Sequence, residues 1–429
     1  MKKIVLLACS ILLLTQLFAQ KTIAVKCGKL FDSKNGVMLS NQIILVKGNQ
    51  IEQVIGNANI KELKADSVID LSSYTVLPGL IDCHVHALLQ GDTTAEPYYT
   101  QLLRESVPFR TLRAAKSLQT SLMNGFTTVR DLGTEGAGYA DYDLKKAIQQ
   151  SIIPGPRYLI ASLAIATTGH YLPSEKDFDW VQLHLPKGVE EITGADEGRR
   201  AVRSQIAHGA DWIKIYADRA YYMDANKNYR SLPNFTTEEI MAIGDETAKH
   251  RKKMAAHAVC RDGILAAIQA GATSIEHGFG MDDECIRVMA EKKVYWCPTI
   301  YVNELVGPAR AAAGSPMNAQ FSKTLAATFQ KALKAGVPIA YGTDIGGYEW
   351  HYPQARDLQY MVQWGMTAAQ AIQSATIHAA KLLDMEGKVG ECTKGAFADL
   401  IAVKGDPLQQ IQLLEQVQFV MKDGKVYKQ

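Results

Sequence analysis

Six side chains in this sequence could hold a cation or carry a proton, and they fall at corresponding places in short apolar runs. His84 and His86 stand in Asp82-Cys83-His84-Val85-His86, and Lys214 in Asp211-Trp212-Ile213-Lys214-Ile215-Tyr216. His257 lies between Ala256 and Ala258, His277 precedes Gly278, and Asp344 ends Tyr341-Gly342-Thr343-Asp344. With no CxxC pair anywhere in the chain, a metal would have to be held by imidazole, carboxylate and less usual donors. His84 and His86 are two residues apart, so on an extended chain both imidazoles share a face and can reach one ion. In the Lys214 run, Trp212, Lys214 and Tyr216 share one face and the isoleucines the other. If the isoleucines pack outward, Lys214 points inward, where a lone ammonium either loses its proton or finds a partner. A neutral amine can take up carbon dioxide as a carbamate, whose oxygens could bridge two ions. Singly, a His-x-His pair or a lysine on a strand is more often a structural or surface feature. All six together, in order and at matching ends of their runs, point to a metal site.

The elements that must position them alternate. From Pro78 to about Met385, eight β-type runs are separated by helical stretches: residues 80–84, 127–132, 157–165, 212–217, 255–259, 274–277, 295–300 and 339–344. Helical stretches such as 236–253, 263–270 and 367–383 fall between or after them. Eight β/α units close a barrel, and barrel enzymes place their sites at the C-terminal ends of the strands. Closure sets run eight beside run one, which lets Asp344 complete the site begun by His84 and His86. Short β runs also occur over residues 22–25, 42–46 and 51–55, within a region from about 23 to 76, and over 399–427, the latter with an Asp423-Gly424 turn. The expected fold is therefore α/β: a (β/α)₈ barrel over 78–386, plus a small discontinuous β-sandwich built from 21–77 and 387–429.

Residues 1–20 read as a signal peptide. Lys2 and Lys3 precede an apolar stretch from Ile4 to Phe18 that is shorter than the roughly 20 residues of a spanning helix. A periplasmic or secreted protein with no membrane span after cleavage is the expectation, and lipoprotein processing at Cys9 is the weaker reading. The other six cysteines show no close pairs, so no disulfide framework is indicated. With 46 basic and 44 acidic residues intermixed, the net charge is +2, which gives no footprint for nucleic acid.

These residues carry a resemblance. Pro78-Gly79-Leu80-Ile81-Asp82-Cys83-His84-Val85-His86, Lys214, His257, Glu276-His277-Gly278 and Gly342-Thr343-Asp344 look like the amidohydrolase superfamily. So does the ending Gly395-Ala396-Phe397-Ala398-Asp399-Leu400-Ile401. The resemblance implies that His84, His86 and Asp344 hold one divalent metal, that His257 and His277 hold a second, and that a carboxylated Lys214 bridges them, with zinc the usual ion. Thr127-Thr128-Val129-Arg130-Asp131 and Lys214-Ile215-Tyr216-Ala217-Asp218 are similar to the branch holding imidazolonepropionase-like proteins, Xaa-Pro dipeptidases and ochratoxin-hydrolysing amidases. Relatives are often oligomeric, so a homo-oligomer is among the expectations.

Two such cations would acidify a shared water and polarise a carbonyl, with Asp344 as general base and then general acid. No GxSxG nucleophile element or phosphate-cradling glycine loop is present. The leading expectation is cleavage of an amide C–N bond in a small peptide or N-acyl amino acid. Opening of a small cyclic amide is the alternative, and a non-catalytic binding protein on the same scaffold the third. Specificity should lie in the long loops 87–102, 166–194 and 218–233. His170 and Tyr216 are the expected substrate contacts. Arg219, Tyr301 and His351 are further loop candidates, and His184, His208, His250 and His378 are read as structural or surface residues.

Overall fold

The computed structural model describes residues 21–56, 65–174 and 185–429. The signal peptide expected over 1–20, with Cys9, and also His184 lie outside the described residues. Strands β1 (Thr22–Asp32), β2 (Val37–Lys47), β3 (Gln50–Gly56) and β4 (Ser67–Pro78) open the chain. Then follow β5 (Leu80–Val85), β6 (Phe126–Asp131), β7 (Arg157–Ile160), β8 (Ile165–Thr167), β9 (Glu190–Ile192) and β10 (Trp212–Tyr216). Next come β11 (Asp218–Met223), β12 (Tyr229–Pro233), β13 (Lys253–Cys260), β14 (Ser274–Gly280) and β15 (Tyr295–Cys297). The chain ends with β16 (Leu400–Val403), β17 (Phe419–Lys422) and β18 (Lys425–Lys428).

Strands β5, β6 and β7 pair in parallel, as do β8, β10, β13, β14 and β15. Backbone hydrogen bonds join these two sheets into a ring. Asp211 N donates to Ile160 O at 2.8 Å on one side. On the other, residues 338–345 bridge β15 and β5: Ala340 N donates to Trp296 O at 3.0 Å, Cys83 N to Tyr341 O at 2.9 Å, and Asp344 N to His84 O at 2.7 Å. This is the expected eight-stranded parallel barrel, with run eight seated beside run one.

Four details differ from the sequence reading. Run three splits into β7 and β8 because Ser162 takes a left-handed conformation, φ 58°. Run seven stops at Cys297, since Thr299 (φ 44°) turns the chain into the helix Ile300–Ala312. The helical stretch 367–383 is two short helices, Ala368–Ser374 and Ile377–Leu382. Residues 218–233 are an antiparallel hairpin, β11 with β12, rather than a loop. The helix Thr237–Lys249 starts where expected, because Thr236 and Glu239 satisfy each other's backbone N–H groups in a capping box.

The second sheet runs β18-β17-β16-β4-β1-β2-β3 and so takes strands from both chain ends. It curls until Ile51 N donates to Ala396 O at 2.9 Å, which folds its inner face around Val25, Ile44, Val46, Leu71, Phe419 and Met421. Each such side chain contributes roughly 1.5–3 kcal/mol on burial. Arg157 of β7 pins this sheet to the barrel: its guanidinium bonds Asp399 at 2.7 Å and Asp423 at 2.5 Å and lies 4.1 Å from the Phe397 ring centre. Among the described residues, no helix is long and apolar enough to cross a membrane.

Candidate metal centre

His84 and His86, at the end of β5, are buried with their rings turned toward Asp344. His84 Nδ1 lies 2.9 Å from Glu276 Oε2, and His86 Nδ1 lies 2.9 Å from Gly133 O. With both Nδ1–H groups engaged, the Nε2 atoms face inward as acceptors. They stand 3.3 Å from each other, and 3.4 and 3.3 Å from Asp344 Oδ1. Ligands about 2.1 Å from a tetrahedral ion stand about 3.4 Å apart, so this donor set fits a zinc-sized cation. Burial opposes charge on His86, but Asp344, Glu135 and Asp131 outweigh it and lift the imidazole to about 9. A proton on His86 and a metal ion among the three atoms answer the same field. Burial likewise opposes charge on Asp344, yet His84, His86 and Lys214 hold its carboxyl below the usual range.

Backbone strain aims this cluster. Asp344 (φ 60°) and His277 (φ 73°) both take the left-handed conformation that side chains with a Cβ avoid. At His277 it breaks strand alternation, so that Glu276 and His277, adjacent in sequence, both serve the site. Behind Asp344, the Asp82 carboxylate accepts from Thr343 Oγ1 at 2.6 Å, Gln354 Nε2 at 2.9 Å and His84 N at 3.0 Å, locking run eight to β5.

Glu276 is one of the residues whose role is not evident from the sequence, although it stands in the quoted Glu276-His277-Gly278. It is fully buried, and its other oxygen accepts from Arg130 Nη2 at 2.9 Å and Ser274 Oγ at 2.5 Å. Arg130 in turn donates to Cys83 O at 2.6 Å and stacks 4.3 Å from the Trp212 ring centre. An acid inside an apolar strand was the available signal. Lys214 of β10 is 1% exposed and makes no hydrogen bond among the described residues. Burial is the largest influence on it and brings its ammonium down to about 8, against the pull of Glu276 and Asp344.

The other imidazoles stack beside this half. The His277 ring centre lies 5.1 Å from His84 and 4.5 Å from His257, and His277 Nδ1 pairs with Thr299 Oγ1 at 2.9 Å. One donor atom each from His84, His277 and Asp344 falls within 4.8 Å of the others. His257 Nε2 meets the Tyr221 hydroxyl at 2.7 Å, which leaves Nδ1 as its free nitrogen. Burial holds His84, His257 and His277 well below the ordinary imidazole value, the neutral form that metal ligands need.

A cavity of about 500 Å³ opens over these groups, with His86, His257, His277 and Asp344 in its wall. Tyr216 lines it, its hydroxyl 2.8 Å from Tyr171 and 3.0 Å from Glu135. Tyr221 and Arg219 of the hairpin line it too. His170 is not brought there: it is exposed, and its Nδ1 pairs with Thr167 Oγ1 at 2.8 Å within its own loop. Tyr301 packs among Tyr348, Tyr352 and Tyr360, and His351 lines a separate small hollow beside Glu415. His208 stacks on Tyr139 and His250 pairs with Glu246, both away from the cavity.

A parallel barrel with imidazoles, a carboxylate and a buried lysine gathered at the C-terminal ends of its strands is the architecture of a metal-dependent hydrolase. The chain belongs to the amidohydrolase family, whose sequence profile matches residues 75–427. It is similar to an ochratoxinase of Aspergillus niger, 32% identical over 422 residues that cover 92% of this chain and 84% of that protein. An imidazolonepropionase of Geobacillus kaustophilus is 26% identical over 424 residues, 92% of each chain. Among solved structures, a Xaa-Pro dipeptidase with methionine bound in its active site superposes with a TM-score of 0.84 at 33% identity, covering 95% of this chain and 100% of that one. The protein is a hydrolase acting on carbon–nitrogen bonds, and its chemistry is amide hydrolysis.

Proposed function

We propose that this chain is an exported, binuclear metal-dependent amidohydrolase that cleaves the amide bond of a small peptide or N-acyl amino acid. His84, His86 and Asp344 would hold one divalent ion, His257 and His277 the other, and Lys214, carboxylated, would bridge them, with zinc the favoured metal. The carrying observation is the convergence of His84 Nε2, His86 Nε2 and Asp344 Oδ1 within 3.4 Å of one another. Metal ions in such a site acidify water and polarise the carbonyl to be attacked.

The chain's own groups divide the remaining work. Asp344, kept ionised by its neighbours and turned by Oδ1 toward both imidazoles, leaves Oδ2 to take the proton of the attacking water and pass it to the departing amine. Lys214, buried and lowered to about 8, has a neutral amine within reach of physiological pH, as carbamate formation requires. Glu276 and Gly133 O fix the rings of His84 and His86, so the donors need no reorganisation. Tyr216 sits in the cavity wall as a substrate contact. Export is supported by the Lys2-Lys3 start and the apolar stretch Ile4–Phe18.

A panel of dipeptides and N-acyl amino acids, assayed beside imidazolone-type cyclic amides, tests the reading. Turnover of the open-chain amides is expected. Ring opening without any open-chain cleavage would overturn it in favour of the cyclic-amide activity that the imidazolonepropionase likeness suggests.

A further inference from the structure

The cavity wall holds one guanidinium neutralised by an acid and one that is not. Arg310 Nη2 lies 2.7 Å from Asp92 Oδ1. Arg219, at the start of the β11–β12 hairpin, lines the same cavity, is partly buried, and has no hydrogen bond or ion pair among the described residues. What holds it is stacking: its guanidinium carbon is 4.4 Å from the Tyr171 ring centre and 5.5 Å from that of Tyr216. Stacking fixes the plane of the fork and leaves its N–H donors unused.

The acid that meets these two phenols is fully engaged by tyrosine hydroxyls. Glu135 is 2% exposed and accepts from Tyr98 at 2.6 Å, Tyr171 at 2.8 Å and Tyr216 at 3.0 Å. Two of these phenols are the rings beneath Arg219. A phenol that donates to a carboxylate has a more electron-rich ring, which strengthens its hold on a cation above it. Glu135 thus builds the platform without occupying the fork. A partly desolvated guanidinium with idle donors is unfavourable until a planar two-oxygen acceptor arrives.

We propose that Arg219 is the carboxylate receptor of this cavity, and that the enzyme selects amides bearing a free C-terminal carboxylate. The proposal rests on the amide-hydrolase reading and names the group of the substrate that is gripped. Bound at Arg219, the carboxylate holds the substrate in the cavity whose wall also carries His86, His257 and Asp344.

The test compares the metal-loaded enzyme with R219Q and R219K. Substrates are N-acetyl-L-amino acids and dipeptides with small, aromatic and basic C-terminal residues, each as free acid and as C-terminal amide. Thermal shift with free L-amino acids and their amides measures binding without turnover. The enzyme should prefer acids, and R219Q should raise KM for them by about 30-fold or more, bringing the acid-to-amide preference toward one. R219K, which keeps charge but not the fork, should fall between. Free amino acids should raise the Tm of the parent and not that of R219Q. An acid preference retained in R219Q, or a parent that favours amides, overturns the proposal. Should R219Q fail to fold, an unchanged acid KM in R219K does the same. If no amide is cut but amino acids bind only when Arg219 is present, the hydrolase reading falls and the receptor stands. If neither acids nor amides bind, the receptor falls.

Discussion

The imidazole of His84 rests on the carboxylate of Glu276, Nδ1 to Oε2 at 2.9 Å, and this contact is what turns its Nε2 toward Asp344. Glu276 is itself held by Arg130 at 2.9 Å, so a buried acid–base pair sits directly beneath the cluster. E276Q keeps the shape and loses the charge. It is expected to weaken metal binding about 10–100-fold by competition with a chelator. E276A leaves Arg130 buried and unpaired, and should cost about 3–5 kcal/mol in denaturant unfolding. An E276Q variant with parental metal affinity would remove Glu276 from the site.

Lys214 tests the bridge. K214A should bind fewer than two ions per chain and lose amide hydrolysis by at least about 100-fold. In the parent, ¹³C-bicarbonate should give a carbamate carbon signal that K214A lacks. Its absence from an active, two-metal parent would exclude the carboxylated form.

Arg157 joins the two parts of the fold through Asp399, which is 3% exposed, and Asp423. R157Q leaves Asp399 without its cation, and a loss of about 2–3 kcal/mol is expected from denaturant midpoints. Because Arg157 lies far along β7 from the cluster's loops, metal content should hold. A variant as stable as the parent would show the contact to be dispensable.

Asp141 gives a pH signature in stability. Burial, then the charge of Asp131, raises its carboxyl to about 7 from an ordinary 3.8. Between those values the folded chain keeps a proton that the unfolded chain has released. Stability from this group therefore falls as pH rises from about 4 to 7 and is level above that. The full effect is on the order of 4 kcal/mol. D141N should flatten the difference in unfolding free energy between pH 4.5 and 7.5, and identical pH profiles for the two proteins would contradict the assignment.

Much of the site was legible because its parts obey simple periodicities. His84 and His86 share a face by strand alternation, and Asp344 reaches them because eight β/α units must close. What was illegible depends on exceptions to those rules. Glu276 and His277 are neighbours that alternation would send apart, and only the positive φ of His277 brings both to the cluster. Tyr221 was hidden because residues 218–233 looked like a loop, whereas the pairing of Tyr221 with Ser231 makes a hairpin that carries its phenol to His257. Glu135 sits in a turn at φ 48°, and its meaning lies in three tyrosines from distant segments. His170 is the opposite case: its loop setting is plain in the sequence, but the pairing of its ring with Thr167, three residues earlier, is not.

The central claim is a pair of metal ions on which amide hydrolysis depends, and metal analysis joined to activity tests it most directly. Purified enzyme should carry two divalent ions per chain, lose hydrolysis of its amide substrate when they are chelated away, and regain it when zinc is returned. A metal-free chain that folds and still cleaves the amide at the parental rate would contradict the account.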